Sequence, residues 1–370
     1  MNAILDHVRR HERALVVSSG LLLLFGFLYA LTVSPQAAAR MGYESTFNLA
    51  LRQGGLALIG AVAIAGVSFM PPSAVRRTGV IMLVGALALL AVVLIVGHEA
   101  KGAQRWLRVA GLSVQPSEFV KPALVIAMAW MLGSGVTQRN FPGVALACGL
   151  YGITAALLVP QPDYGQTALL GLVLAAMLIA AGAPWRFFAG GAAFALVGGV
   201  LAYNFVSHFR ERLDLFFSAE NKGFQVTKAL EAIQNGGPLG RGPGEGTVKV
   251  SLPDAHADFV YAAATEEFGW LASLGFIGLY AAIAWFGLRR ASRLVDPFQQ
   301  FAASGLIMLF TLQAAIHVAV NMSMAPAKGI TLPLVSYGGS AMIGSALTIG
   351  LAFALLRERP GAFLHDRTQA

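Results

Sequence analysis

Apolar residues collect in long runs near 14–33, 48–69, 79–97, 118–134, 143–159, 166–182, 187–206, 267–288, 298–320 and 340–357, with polar segments between them. Each run is near the ~20 residues that a helix needs to cross about 30 Å of hydrocarbon, and unpaired backbone groups in lipid forbid most alternatives. The pattern predicts an all-α fold: a polytopic membrane protein of about ten transmembrane helices, with residues 1–370 forming one transmembrane domain. Ten spans place both termini on the same side. The one long polar stretch, 207–266, becomes a large loop between helices 7 and 8. Arg9, Arg10 and Arg13 precede the first run as in a signal peptide, but the run is too long and lacks a convincing cleavage site, so it reads as a retained first helix. There is no internal repeat at a fixed period and no low-complexity tract.

Composition agrees with the pattern. The chain is 56% hydrophobic and only 12% charged, with a mean hydropathy of +0.67, whereas a soluble domain typically carries about 25% charged residues. A net charge of +8 raises the question of nucleic acid, but no Lys/Arg-rich face with interleaved aromatics is present, so the basic surplus belongs to a membrane surface. Arginines at both termini and Arg76, Arg77, Arg139, Arg186, Arg289, Arg290 and Arg293 in short loops mark one side as cytoplasmic. The loop 207–266 is then extracytoplasmic. Cys148 is the only cysteine, which excludes an intrachain disulfide or a thiolate metal site. The 42 glycines suit close helix packing.

Three outside segments hold more polar residues than loops need. In the first, Trp106 between Arg105 and Arg108 fits an interfacial anchor. Glu118 and Lys121, three apart at the mouth of a helix, share a face, where they either neutralise each other or present a cation to a phosphate. In the second, Asp254, His256 and Asp258 fall within five residues. On a helix the two aspartates would share a face, which suits general-base work or divalent-cation binding, while Pro253 with acidic residues equally fits a helix N-terminus. Arg241-Gly242-Pro243-Gly244-Glu245-Gly246 matches no phosphate-loop spacing and reads as a flexible turn. The third segment, 326–340, is broken by two prolines and three glycines. Its backbone must be irregular and either protein-buried or lining a cavity, with Lys328, Ser336, Tyr337 and Ser340 available to a polar headgroup.

Five stretches in order carry a resemblance over essentially the whole chain: Gln104-Arg105-Trp106-Leu107, Gln115-Pro116-Ser117-Glu118-Phe119-Val120-Lys121, Gln161-Pro162-Asp163-Tyr164-Gly165, Leu252-Pro253-Asp254-Ala255-His256-Ala257-Asp258-Phe259, and Lys328-Gly329-Ile330-Thr331-Leu332-Pro333-Leu334-Val335-Ser336-Tyr337-Gly338-Gly339-Ser340. They resemble the SEDS (shape, elongation, division and sporulation) family. Lys328 and Thr331 resemble its cell-division branch; the elongation branch usually shows Thr-Gly-Ile-Pro-Leu-Pro there. The sequence departs from the usual pattern with Asp254 for Glu, Ala257 for Thr, Ala327 for Thr and Ala341 for the second Ser.

The resemblance implies a peptidoglycan glycosyltransferase that polymerises lipid II at the outer face of the cytoplasmic (inner) membrane, at the division septum. The acceptor's 4-hydroxyl attacks the anomeric carbon of the growing chain, and undecaprenyl pyrophosphate leaves. Asp258 matches the general base, and Arg105, Glu118, Lys121 and Lys328 match positions that hold pyrophosphate or sugar; His256 and Ser336 complete the substrate-binding candidates. A divalent cation, Mg2+ or Mn2+, is implied without a complete ligand set in the sequence, and no organic cofactor. The implied partners are the nascent glycan strand, a class B penicillin-binding protein acting as transpeptidase, other divisome proteins and membrane lipids. A lipid II flippase, an elongation-type polymerase and a non-catalytic scaffold are the rival readings. A flippase is expected to show inverted repeats with broken midplane helices, and none is legible.

Overall fold

The computed structural model describes residues 13–41, 47–100, 103–109, 112–218, 223–326 and 329–357. In chain order the elements are α1 (Arg13–Met41), α2 (Asn48–Ser68), α3 (Pro72–Val96), strands β1 (His98–Ala100), β2 (Ala103–Val109) and β3 (Leu112–Val114), α4 (Ser117–Thr137), α5 (Gly143–Leu158), α6 (Tyr164–Ala180), α7 (Trp185–Phe205), α8 (Ser207–Phe217), α9 (Phe224–Gly236), a short 3-10 turn (Val248–Val250), α10 (Val260–Ala291), α11 (Pro297–Asn321) and α12 (Gly339–Leu356). Eight of these, α1 to α4, α7 and α10 to α12, are long and apolar enough to cross a membrane. The shorter apolar α5 and α6, of 16 and 17 residues, reach roughly 24–26 Å at 1.5 Å per residue. The ten helices match the ten apolar runs.

Where ends differ from the runs, local chemistry explains it. α3 begins at Pro72 rather than near 79 because proline suits the first helical position, where its missing N–H costs nothing. α10 begins at Val260 rather than near 267, since Glu266 and Glu267 are buried against protein and not in lipid. The sheet is a finding the apolar runs did not show. β1, β2 and β3 pair antiparallel in that order, His98 opposite Trp106 and Leu107 opposite Val114. Residues 104–109 read Gln-Arg-Trp-Leu-Arg-Val, without a strict polar–apolar alternation, and Leu107 is buried.

The core is built around α4, α11 and α12. α12 is enclosed on nearly all sides, and α4 buries Val120 to Ala129 without a break. α7 is loosely held: it buries no residue, its main neighbour is α8, and Phe187 and Phe188 at its start lie against the core.

The long loop is folded, with α9 lying on α10 through Val226, Ala229, Ala232 and Gly236, one face of an amphipathic helix. α10 breaks at Gly269 (φ 81°, ψ 166°). A break orphans carbonyls before it and N–H groups after it. Here Arg241 and Gly242 donate to Glu266 O (2.9 Å) and Glu267 O (3.0 Å), while Trp270 and Leu271 donate to Gly237 O (3.0 Å) and Pro238 O (3.3 Å). So close an approach requires glycine on both sides: a Cβ at Gly240 (φ 85°) would lie 2.1 Å from Glu267 O, and one at Gly269 would lie 2.4 Å from Pro238 O. Gly240→Ala and Gly269→Ala should each cost about 2 kcal/mol or more through left-handed strain and displaced backbone. Thermal unfolding in detergent reads this; an unchanged midpoint for both would show that the crossing tolerates side chains.

Candidate active site

Residues 253–259 form consecutive turns rather than a helix, because Asp254 takes φ 54° and its carbonyl accepts the N–H groups of Ala257 (2.9 Å), Asp258 (3.0 Å) and Phe259 (3.2 Å). Two expectations are thereby corrected. Asp254 and Asp258 do not share a helical face, and Pro253 does not open a helix, since α10 starts seven residues later. The turn is clamped from the opposite segment. Ser336 Oγ donates to Ala257 O (2.7 Å) and accepts from Leu332 N–H (2.8 Å), Tyr337 N–H donates to His256 O (2.9 Å), and the His256 and Tyr337 rings meet edge to face at 5.7 Å.

Above this turn lies a cavity of about 730 Å3, walled by β2, α8, the start of α9, the 254–259 turn and the segment 329–341. Asp254, Asp258, Arg105, Arg212, Thr331 and Tyr337 all line it. Arg105 is fastened to the loop before α6: Nε donates to Gln161 O (3.0 Å), the second terminal nitrogen to Pro162 O, and Nη1 lies 3.7 Å from Asp163 Oδ1. Burial raises the Asp163 carboxyl above the ordinary range, against the pull of Arg105. Arg212 is shifted down, first by burial and then by Arg105, while Asp258 and Asp163 pull it back up. The cavity thus sets two guanidiniums near a pair of carboxylates.

The other expected site residues are placed differently. Glu118 and Lys121 are only 2% exposed, inside the bundle and away from the cavity lining. Their charged atoms are 2.8 Å apart; Lys121 Nζ also donates to Gln313 Oε1 (2.8 Å) and Gln166 Nε2 to Glu118 Oε1 (3.3 Å). Ser336 and the His256 carbonyl join segments rather than line the cavity. Lys328 lies outside the described residues. Among the described residues no three His, Cys, Asp or Glu side chains gather to hold a metal ion. A divalent cation would therefore need oxygens from substrate beside one or two carboxylates, as Mg2+ sites often do.

Sequence reasoning missed Arg212, Gln313 and the knot under the long loop. In that knot Lys249 Nζ contacts Glu267 Oε1, and Glu266 accepts the N–H groups of Thr247 (2.8 Å), Val248 (2.8 Å) and Lys249 (2.7 Å) and the Asn235 amide (2.8 Å). This anchors the strap 240–250 that leads into the Asp258 turn. The signal available was two adjacent acids, Glu266 and Glu267, beside a long apolar run, where unpaired charge is costly.

Together these features define a class: a polytopic membrane protein that holds a polar, acid- and arginine-lined chamber at one edge of its helix bundle, beneath a folded extramembrane loop. The chain belongs to the family described as "Cell cycle protein", that of FtsW, RodA and SpoVE, whose model matches residues 13–360; this is the SEDS family of the sequence motifs. It is 43% identical to a Caulobacter vibrioides protein named "Probable peptidoglycan glycosyltransferase FtsW", over 95% of this chain and 90% of that one. A protein of the same name from Halomonas elongata is 33% identical over 94% of this chain and 93% of that one. Two solved structures share the fold. One, of a peptidoglycan synthase complex that coordinates polymerization and crosslinking, aligns with a TM-score of 0.75 at 24% identity over 97% of this chain and 99% of its own. Thermus thermophilus RodA aligns with a TM-score of 0.69 at 23% identity over 95% of this chain and 98% of its own.

The Glu118–Lys121 placement gives a prediction. Lys121→Met leaves a buried carboxylate unpaired and should cost about 3–5 kcal/mol, much of it recovered in Lys121→Met with Glu118→Gln. Differential scanning fluorimetry in detergent checks it. A single variant that unfolds with wild-type stability would mean that the ammonium is not needed for the fold.

Proposed function

We propose that the protein is a peptidoglycan glycosyltransferase that polymerises lipid II into glycan strands during septal wall synthesis. One observation carries the reading: Asp258, at the motif position of the family's general base, lines a cavity of about 730 Å3 together with Arg105 and Arg212. Support comes from the names of the relatives, which describe this activity for those proteins.

In the reaction, Asp258 takes the proton of the acceptor's 4-hydroxyl as that oxygen bonds to the anomeric carbon of the growing chain. The bond from that carbon to pyrophosphate breaks, and undecaprenyl pyrophosphate leaves with the electron pair. Charge gathers on the leaving oxygens, and fixed cations aimed there lower the barrier. Arg105 is held rigid by the 161–163 loop, while Arg212 enters from α8. Planar guanidiniums suit phosphate oxygens.

The chamber faces the extracytoplasmic side of the inner membrane, with both termini in the cytoplasm; the arginines of the short loops support this orientation. A class B penicillin-binding protein is the partner that cross-links the strands, a reading supported by the likeness to the synthase complex.

Asp258→Asn keeps the side chain's shape and removes the base. Purified variant given fluorescent lipid II should make no glycan strands while unfolding at the wild-type temperature, and strand synthesis at the wild-type rate would sink the assignment. Orientation is read separately, in a Cys148→Ser background. Leu239→Cys, at a site 79% exposed before the Gly269 crossing, should react with a membrane-impermeant maleimide in outer-membrane-permeabilised cells; Val295→Cys, 89% exposed between α10 and α11, should not. Labelling only at position 295 would put the chamber on the cytoplasmic side.

A further inference from the structure

α11 is an apolar helix with a stripe of amides and imidazole on one face: Gln313, His317 and Asn321, at i, i+4 and i+8, all buried to 3% exposure or less. Each reaches out of the helix to the backbone of a segment at the chamber. Gln313 Nε2 donates to Thr331 O (3.0 Å). His317 Nδ1 lies 2.7 Å from Ile330 O; a carbonyl only accepts, so Nδ1 carries the proton. Asn321 Nδ2 donates to Asp258 O (3.2 Å) and to His317 O of its own helix (2.8 Å), while its Oδ1 accepts Ala262 N–H (3.0 Å) at the start of α10.

The two held segments face each other across Asp258. Its backbone N–H is bonded to Asp254 O and its carbonyl to Asn321, so both peptide groups are fixed. Its carboxylate is bounded by Gly329, where a Cβ would come within 3.3 Å of Oδ2. Gly329 is followed directly by the two carbonyls that His317 and Gln313 hold. One rigid helix therefore sets both the place of the carboxylate and the wall against it.

We infer that Gln313, His317 and Asn321 are positioning residues for the reaction, a ruler that fixes the Asp258 carboxylate relative to the 329–331 wall; the inference rests on the glycosyltransferase reading above. None of the three lines the chamber, so none is a substrate ligand. A base displaced by an ångström loses roughly a hundredfold in rate without weakening the binding of substrate elsewhere. The stripe acts on turnover.

The test measures strand synthesis from fluorescent lipid II by purified full-length protein, normalised to folded, monodisperse material. Asn321→Ala and the isosteric Asn321→Asp, which keeps the acceptor for Ala262 and loses the donor to Asp258, should each lower kcat roughly 10- to 100-fold with KM unchanged within about threefold. At the next turn His317→Leu should lower kcat in the same way. His317→Asn, whose Nδ2 takes the place of the imidazole Nδ1–H, should recover most of that loss. Three results overturn the proposal: turnover per folded molecule within about twofold of wild type in both Asn321 variants, a raised KM at constant kcat, or no recovery in His317→Asn relative to His317→Leu. If the wild type itself makes no strands, or Asp258→Asn is as active as wild type, the enzymatic reading fails first and the proposal falls with it.

Discussion

Every irregular stretch of backbone in this bundle must find hydrogen-bond partners in protein, because lipid supplies none. The segment 330–335 shows this at five of its six carbonyls. The carbonyls of Ile330, Thr331, Pro333 and Val335 are met by His317, Gln313, Tyr280 and Gln53, side chains of three different helices, and that of Leu332 by the N–H groups of Val335 and Ser336. The Gly269 crossing obeys the same rule with backbone alone. Backbone held at so many points has little freedom left in these places. The chamber inherits its shape from that constraint, since the 254–259 turn and the 329–338 segment are bonded to each other as well as to the helices.

Charge is handled on the same terms. Glu118 with Lys121, and Glu267 with Lys249, are buried as pairs, and Glu266 is met by three backbone N–H groups and an amide. Buried pairs of this kind give little net stability, yet removing one member is costly, so they specify an arrangement more than they strengthen it. The first pair ties α4 through Gln313 to α11, the helix that also holds Asp258. The second ties the strap 240–250 to α10, which begins where the Asp258 turn ends. Both lead to the same carboxylate.

How much of this was legible in the sequence depended on which solvent each residue meets. Helices facing lipid announce themselves as apolar runs, so their number and rough limits could be read directly. α10 could not be delimited that way, because its first turns carry Glu266 and Glu267 toward protein, and hydropathy cannot tell a protein-facing acid from a water-facing one. The strand at 103–109 was hidden because Trp106 between two arginines also fits an interfacial anchor, and because Gln104-Arg105-Trp106-Leu107 sets two polar residues before two apolar ones rather than alternating them. Asp258 was found by motif, not by spacing: the helical face that spacing suggested for Asp254 and Asp258 is a set of turns instead. For Lys121 the sequence left open both pairing with Glu118 and a cation offered to phosphate, because Gln313, its second partner, lies 192 residues away and no local pattern links them. Arg212 was passed over as one basic residue among several in the long loop, and only the fold shows that α8 turns it toward Asp258.

The two sides of the chamber differ in how firmly they are held. Asp258 is fixed through its backbone to Asn321 and Asp254, on elements that pack deep in the bundle. Arg212 rides on α8, whose main neighbour is α7, and α7 buries none of its residues. Segments with few buried contacts are the ones that open at least cost in free energy, whereas densely bonded core elements open only with global unfolding. A general base has to meet a hydroxyl within a few tenths of an ångström, so it belongs on the rigid side. A cation that receives a departing pyrophosphate interacts over a longer range and tolerates movement, and it must also let a bulky lipid-linked product leave. The division of stiffness between α11 and the α7–α8 arm matches the division of labour proposed above, proton transfer at Asp258 and charge compensation at Arg212.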